Sequence, residues 1–241
     1  HRPLIHERAS QVGRERGTPD GVLVFDPSGF AMKGTASVGV QRQWLGRLGK
    51  VDNGQVGVFL GYAAPRGHAL VDVRLYLPQS WAKDRVRRRR CGVPRTVRYR
   101  TRPELAREML RETGPRLPHG GISGDDERGR PSRFRAELRR LGERYVLAVP
   151  SSTTIRDLDG AVPEPGARGP HPKRAFEPVR AWVQALSPGA WRRIEVGEGE
   201  RDPVIVEVTD TRVVARTDRG RIGPEELLVV VRSGDVSGVA K

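Results

Sequence analysis

Two aspartates each follow a short apolar run: Asp26 comes directly after GVLVF (21–25), and Asp125 directly after GGISG (120–124). Branched residues closed by a turn-forming cluster read as a buried strand, and GGISG reads as a weaker one, so each acid falls at a strand's C-terminal end. In open α/β sheets ligands collect beyond the carboxyl ends of the strands. Two carboxylates meeting there offer hard oxygen ligands to a divalent cation such as Mg²⁺, with Mn²⁺ as an alternative. A pair of such ions can hold both the attacking and the leaving oxygen of a phosphodiester. Each aspartate also has a plainer role open to it, Asp26 as a turn former ahead of Pro27 and Asp125 as a cap for a helix beginning near Pro131.

The second chemical feature is a concentration of guanidinium groups. Nine arginines and no acid lie between Arg85 and Arg102, interrupted by Cys91-Gly92-Val93-Pro94. The whole chain carries 44 basic against 29 acidic residues, a formal charge of +15 over 241 residues. Such an excess favours a polyanionic partner, and arginine makes bidentate contacts with phosphate. The alternative is a solvated charged face. Nucleic acid is the better match, with Lys33, Arg42, Lys50, Arg87, Arg88, Arg89 and Arg90 as candidate phosphate contacts.

Other chemistries find little support. The single cysteine, Cys91, excludes an internal disulfide and a cysteine-based zinc site, and it fits a reducing compartment. His6, His68, His119 and His171 lack the spacing of a metal cage or of a nucleophilic triad. No phosphate-binding glycine loop is present. Trp44, Trp81, Trp182 and Trp191 could stack on bases, although packing is the plainer use. The longest apolar stretches run about ten residues, short of the roughly twenty needed to cross a bilayer, so the sequence reads as that of a soluble, cytoplasmic protein without a membrane partner. Its first residue is His rather than Met, which reads as a piece of something longer.

The elements that must position the acids follow from periodicity. Residues 1–20 read as a polar lead-in with helical charge spacing. After the 21–25 strand, 55–64 and 68–77 form a hairpin across Pro65-Arg66-Gly67, giving three antiparallel strands. The arginine stretch is an exposed excursion. Helices are expected over 103–113, with Pro at its start, and over 131–141, ended by Gly142. YVLAV (145–149) reads as a buried strand. Beyond Pro150 the chain turns β-rich: a long loop over 156–175, a short helix over 179–186, a hairpin of 204–208 and 212–217 joined around Thr209-Asp210-Thr211, and a strand over 226–232. The order makes an α/β domain with a mixed sheet and an appended β segment.

The segment PDGVLVFDPSGFAMKGTASVGVQRQWLGRLGKVDNGQVGVFLGY (19–62) resembles the DDE endonuclease domain of bacterial insertion-sequence transposases, the insertion sequence 701 group related to the insertion sequence 4 family. So do LVDVRLYLPQSWAKD, GVPRTVRYRTRPELAREML, GDDERGRPSRFRAELRRLGERYVLAVPS and VVARTDRGRIGPEELLVVVR, which together span nearly the whole chain. The resemblance implies an RNase H-like fold: a catalytic core over 21–150 and, over 151–241, a β-rich insertion between the second and third catalytic acids. Asp26 in FDPSGF matches the first acid and Asp125 in GDDERG the second. Arg128 stands where the family often has an aromatic residue before Gly129, which bears on local packing. The third acid, a Glu on a helix beyond the insertion, has no match here, and Glu225 and Glu226 precede its position. The implied activity is Mg²⁺-dependent DNA cleavage and strand transfer, with element ends and target DNA as partners, a homodimer in the full-length form and the bacterial nucleoid as location. The chain alone is then expected to bind DNA without cleaving it at a useful rate. One sheet face would lie poorly covered, exposing apolar surface from strands such as YVLAV. Two rivals remain: a DNA-binding remnant without catalysis, and a nuclease completing its site with Asp126 or Glu127.

Overall fold

A computed structural model of the chain describes residues 2–161, 174–198 and 203–233, apart from the side chains of Asp126 and Arg128. It divides into two compact units, residues 1–149 and 150–241. In the first, the elements run α1 (Arg2–Arg16), β1 (Val22–Ala31), β2 (Gln41–Leu45), β3 (Lys50–Ala64), β4 (Gly67–Leu75), α2 (Gln79–Lys83), α3 (Arg85–Arg90), α4 (Arg102–Thr113), β5 (Gly121–Gly124), α5 (Asp126–Gly129), α6 (Ser132–Arg140) and β6 (Tyr145–Leu147).

The strands form one mixed sheet in the order β2-β3-β1-β5-β6, with β4 also pairing β3. β1 runs antiparallel to β3 and parallel to β5, and β6 is parallel to β5. Alternate residues of the strands, among them Leu23, Phe25, Val58, Leu60, Tyr62 and Ile122, join α1, α4 and α6 in one core through Ala9, Val12, Leu105, Met109, Leu110, Phe134 and Leu138. Phe25 meets Phe134 edge to face, with centroids 6.2 Å apart. This mixed sheet with flanking helices is consistent with the RNase H-like fold expected from the sequence.

The helices start where local chemistry directs. Thr101 and Glu104 form a reciprocal capping box at the head of α4, with Pro103 in the first turn. On α6, Phe134 and Leu138 are four residues apart on one face, and both are buried.

Several boundaries differ from expectation. β1 does not stop at Asp26 but continues through Pro27 to Ala31, paired with β3 throughout. Proline has no N–H for a ladder, yet pairing with β5 ends at Phe25, so the vacated edge of β1 can take Pro27. β2 escapes sequence reading because its inward positions are Gln43 and Leu45, and a buried glutamine masks the alternation. Gln43 Nε2 donates to the Gly54 carbonyl at 2.7 Å. The β3–β4 turn closes at Ala64↔Gly67, so its loop is the two residues Pro65-Arg66. The N-terminal lead-in is α1, whose Ala9 and Val12 enter the core. YVLAV is not fully buried: Tyr145 and Leu147 pack on the core, while Val146 is 77% exposed on the opposite side.

In the second unit β7 (Thr154–Asp157), β8 (Glu177–Pro178), β9 (Arg192–Glu198), β10 (Pro203–Arg216) and β11 (Ile222–Ser233) form an antiparallel sheet ordered β11-β10-β7-β8, with β9 on β10. Helix α7 (Val179–Gln184) buries Val179 and Trp182 against Ile155, Val213 and Ala215. The expected turn at Thr209-Asp210-Thr211 is the middle of β10. Thr209 and Thr211 point inward and are buried, and the turn falls instead around Thr217–Arg221, where Gly220 has φ +71°. Asp157 organises this unit, accepting from Thr211 Oγ1 at 2.7 Å, Trp182 Nε1 at 3.0 Å and the Asp159 amide at 3.0 Å. Most of the loop expected over 156–175 lies outside the described residues.

Candidate active site

The parallel register of β1 and β5 matches Val22 with Gly121 and ends with Phe25 opposite Gly124. The next residue in each case is an aspartate: Asp26 continues β1, and Asp125 directly follows the last residue of β5. Hydrogen-bonded strands run about 4.8 Å apart, close enough for two carboxylates to share a ligand. Asp26 is exposed and Asp125 half-buried.

Asp26 sits within β1, paired with Phe59, which removes the turn-former role. It lines a depression of about 350 Å³ with Val24, Ser28, Phe30, Phe59, Gly61 and Leu70. Asp125 follows β5 and leads into α5, its carbonyl accepting from the Gly129 amide at 3.0 Å. It does not cap the helix beyond Pro131, because α6 has Pro131 itself at its N-cap and no side-chain cap bond.

The turn behind Asp125 is fixed from three directions. Arg135 of α6 is buried and donates to the Gly129 carbonyl. Gly129 packs so closely that a Cβ there would collide with the Ala148 carbonyl beyond β6. Glu127 forms an ion pair with Arg102 of α4 at 3.0 Å, and Arg102 lies over the Tyr76 ring, 5.1 Å from its centroid. Burial first, and then the hydrogen bond with Tyr99, pushes the Tyr76 hydroxyl up to about 12. The side chains of Asp126 and Arg128, and with them two of the sequence expectations, lie outside the described residues.

As a donor set, Asp26 and Asp125 fit a hard divalent cation: two carboxylates, each one residue beyond the end of the β1–β5 ladder, with Asp26 lining an open depression. Among the described residues no group of three or more His, Cys, Asp and Glu forms a metal cluster.

The basic candidates separate into distinct settings. Lys33 is exposed in the connection between β1 and β2. Arg42, exposed on β2, reaches the Val51 carbonyl at 3.4 Å. Lys50 pairs with Asp52 at 2.9 Å, and that hydrogen bond above all holds the Asp52 carboxyl below its usual range. Arg87 lies 3.7 Å from the centroid of the buried Trp81 ring and donates to the Thr35 and Val40 carbonyls. Arg88 donates to the carbonyls of Ala82, Pro94 and Val97. Arg89 and Arg90 are exposed. A cleft of about 560 Å³ is lined by Arg85, Arg88, Arg89, Val93, Arg95 and Arg98. Arg85, Arg95 and Arg98 were not singled out by the sequence. The i, i+4 spacing of Arg85 and Arg89 was the available signal.

Trp81 and Trp182 are buried, their indole N–H groups donating to the Val40 carbonyl and the Asp157 carboxylate; Trp191 lies under Arg232, and Trp44 is exposed. His119 contacts the Leu117 carbonyl and Glu143, His68 is exposed, His6 is half-buried and His171 lies outside the described residues. No helix among the described residues is long and apolar enough to cross a membrane.

The family model described as DDE superfamily endonuclease matches residues 5–203. A search of curated proteins finds no significant match.

Proposed function

The chain belongs to the DDE superfamily of endonucleases, and from that premise we propose that its first unit is the catalytic core of a cut-and-paste DNA transposase of the bacterial insertion-sequence type, the insertion sequence 701 group being the one its motifs resemble. The family supports nuclease chemistry on DNA; the transposase reading, Mg²⁺ as the ion, the assignment of Asp26 and Asp125 as its ligands, and residues 151–241 as the inserted β segment are our own. The observation carrying it is the β1–β5 register, which sets Phe25 opposite Gly124 with an aspartate following each.

In this reading Asp26 and Asp125 would hold a divalent ion, and the pinned α5 turn would keep Asp125 in place. When bound, the ion lowers the pKa of a water and stabilises the leaving oxygen of the scissile phosphate. The exposed position of Asp26 leaves room for a strand to approach. Cleavage would free a 3′ hydroxyl at the element's end, whose attack on a second phosphodiester joins the strands and releases the other side of that bond. A third carboxylate would complete the site. Glu127, one candidate for it, is engaged with Arg102. We place the protein with DNA in the bacterial nucleoid, as a homodimer.

A second reading is a DNA-binding remnant without catalysis, favoured by the engagement of Glu127 with Arg102. Mn²⁺ titration and supercoiled-plasmid nicking, run on the chain and on Asp26→Ala and Asp125→Ala, separate the two. We expect Mn²⁺ binding that either substitution abolishes, and no useful nicking by the chain alone. Unchanged Mn²⁺ affinity in both variants would overturn the site. Metal-independent DNA binding alone supports the remnant, and nicking that vanishes in Asp26→Ala raises Asp126 or Glu127 to third ligand.

A further inference from the structure

The arginines of the 85–102 stretch do two different jobs, and the structure separates them. After α3 the chain turns at Cys91-Gly92, where Gly92 has φ +69°, and folds back on the helix, the Val93 amide donating to the Arg88 carbonyl at 2.9 Å. The Arg88 side chain ties the returning loop down through the Pro94 and Val97 carbonyls at 2.9 and 2.6 Å. Arg87 points the other way, onto Trp81. What remains between helix and loop is the 560 Å³ cleft, and four of its lining residues, Arg85, Arg89, Arg95 and Arg98, are exposed. Among the described residues these four guanidiniums have no hydrogen bond, ion pair or ring contact with the protein. Elsewhere in this unit Arg74, Arg100, Arg102, Arg111 and Arg140 each sit against a glutamate.

Like charges gathered around one cavity repel, and a bound anion relieves that repulsion. The cleft's volume lies within the usual range for a ligand site. Val93 is its one apolar lining residue, no aromatic ring lines it to stack on a base, and guanidiniums gathered round one cavity suit the phosphates that every sequence presents. We propose that this cleft binds the sugar-phosphate backbone of DNA without regard to sequence, as a site separate from the Asp26–Asp125 pair. Arg85, Arg89, Arg95 and Arg98 contact phosphates, and Arg88 is the strut that shapes the cleft. The proposal rests on the reading that the chain acts on DNA.

The test is fluorescence anisotropy with a labelled duplex over a salt series. It compares the chain with a cleft variant (Arg89→Ala, Arg95→Ala, Arg98→Ala) and with a charge-matched control (Arg66→Ala, Arg219→Ala, Arg221→Ala), after circular dichroism shows both folded. Each phosphate contact contributes about 0.9 to the slope of log affinity against log salt, so the cleft variant should lose about 2 to 3 units and the control should keep its slope. Equal losses in both, or none in the cleft variant while the chain binds DNA, overturn the cleft assignment. Failure of the unmodified chain to bind DNA at low salt overturns the DNA reading instead. Tripolyphosphate binding that depends on the cleft arginines while DNA binding does not would make it a small-anion site and also overturn the proposal.

Discussion

The two faces of the first unit's sheet are drawn from the same strands and differ in every other respect. One parity of residues, Leu23, Phe25, Val58, Leu60 and Ile122, is buried beneath α4 and α6. The other parity, Val24, Asp26, Ser28, Phe30, Phe59, Leu70, Val73 and Val146, is half-buried or exposed. Strand geometry dictates the division, because successive side chains point to opposite sides. The comparison teaches that stability and chemistry are carried by alternate residues of one strand. Phe25 holds the sheet to the helices, and its neighbour Asp26 faces the depression. The open face is also apolar over much of its extent, with Phe30, Leu70, Val73 and Val146 exposed on it.

That contrast can be broken most directly at Phe25 and Phe59. Phe25→Ala should lower unfolding free energy by about 3–5 kcal/mol, as expected for an aromatic removed from a packed core. Phe59→Ala, on the open face, should cost far less in the same urea titration, and comparable losses would mean that the open face is packed after all.

The covered face also depends on links between its helices. Glu137 of α6 bonds Arg140 and Arg111, and these hydrogen bonds, Arg140's first, hold its carboxyl down to about 2 against an ordinary 4.5. A depressed carboxylate contributes stability in full above its unfolded pKa and loses it as pH falls toward the folded one. The stability difference between the native chain and Glu137→Gln should therefore be constant above about pH 5 and shrink between about 4.5 and 2. A pH-independent difference would remove Glu137 from the account of this face.

Thr101→Ala, which takes away the α4 cap, should cost about 1 kcal/mol by loosening the covering helix. The smallest expected effect is at Asp26. Asp26→Ala should leave the unfolding free energy from the same urea titration within about 0.5 kcal/mol of the native value, as for most exposed positions. A large loss there would mean that Asp26 holds the fold together and would weaken its claim to chemistry.

Helices α4 and α6 were legible nearly to the residue, because capping chemistry and 3.6-residue periodicity are local. The hairpin of β3 and β4 was legible from two apolar runs around a tight turn. The misread elements are those where a local signal met a tertiary constraint. Asp26-Pro27-Ser28-Gly29 has turn composition, yet the long β3 keeps it extended. Thr209-Asp210-Thr211 also has turn composition, yet burial of both threonines and the bond from Thr211 to Asp157 hold β10 straight. β2 was missed because Gln43 faces inward to serve the Gly54 carbonyl.

By itself the sequence determined the chemical inventory: two aspartates after apolar runs, a stretch of arginines without acids, helices with their ends, and a family resemblance carried by motifs along the chain. Only the tertiary structure decided which of these residues meet. The register that sets Phe25 opposite Gly124, with an aspartate following each, depends on a parallel ladder between strands distant in sequence, which no local pattern encodes. The division of the arginines depends likewise on the loop after α3. Arg87 and Arg88 find carbonyls and an indole within reach, while Arg85, Arg89, Arg95 and Arg98 are left facing a cleft. Residue type and periodicity are properties of a short window of chain. Pairing partners and charge neutralisation depend on which groups fold to within a few ångströms, and distance along the chain does not set that.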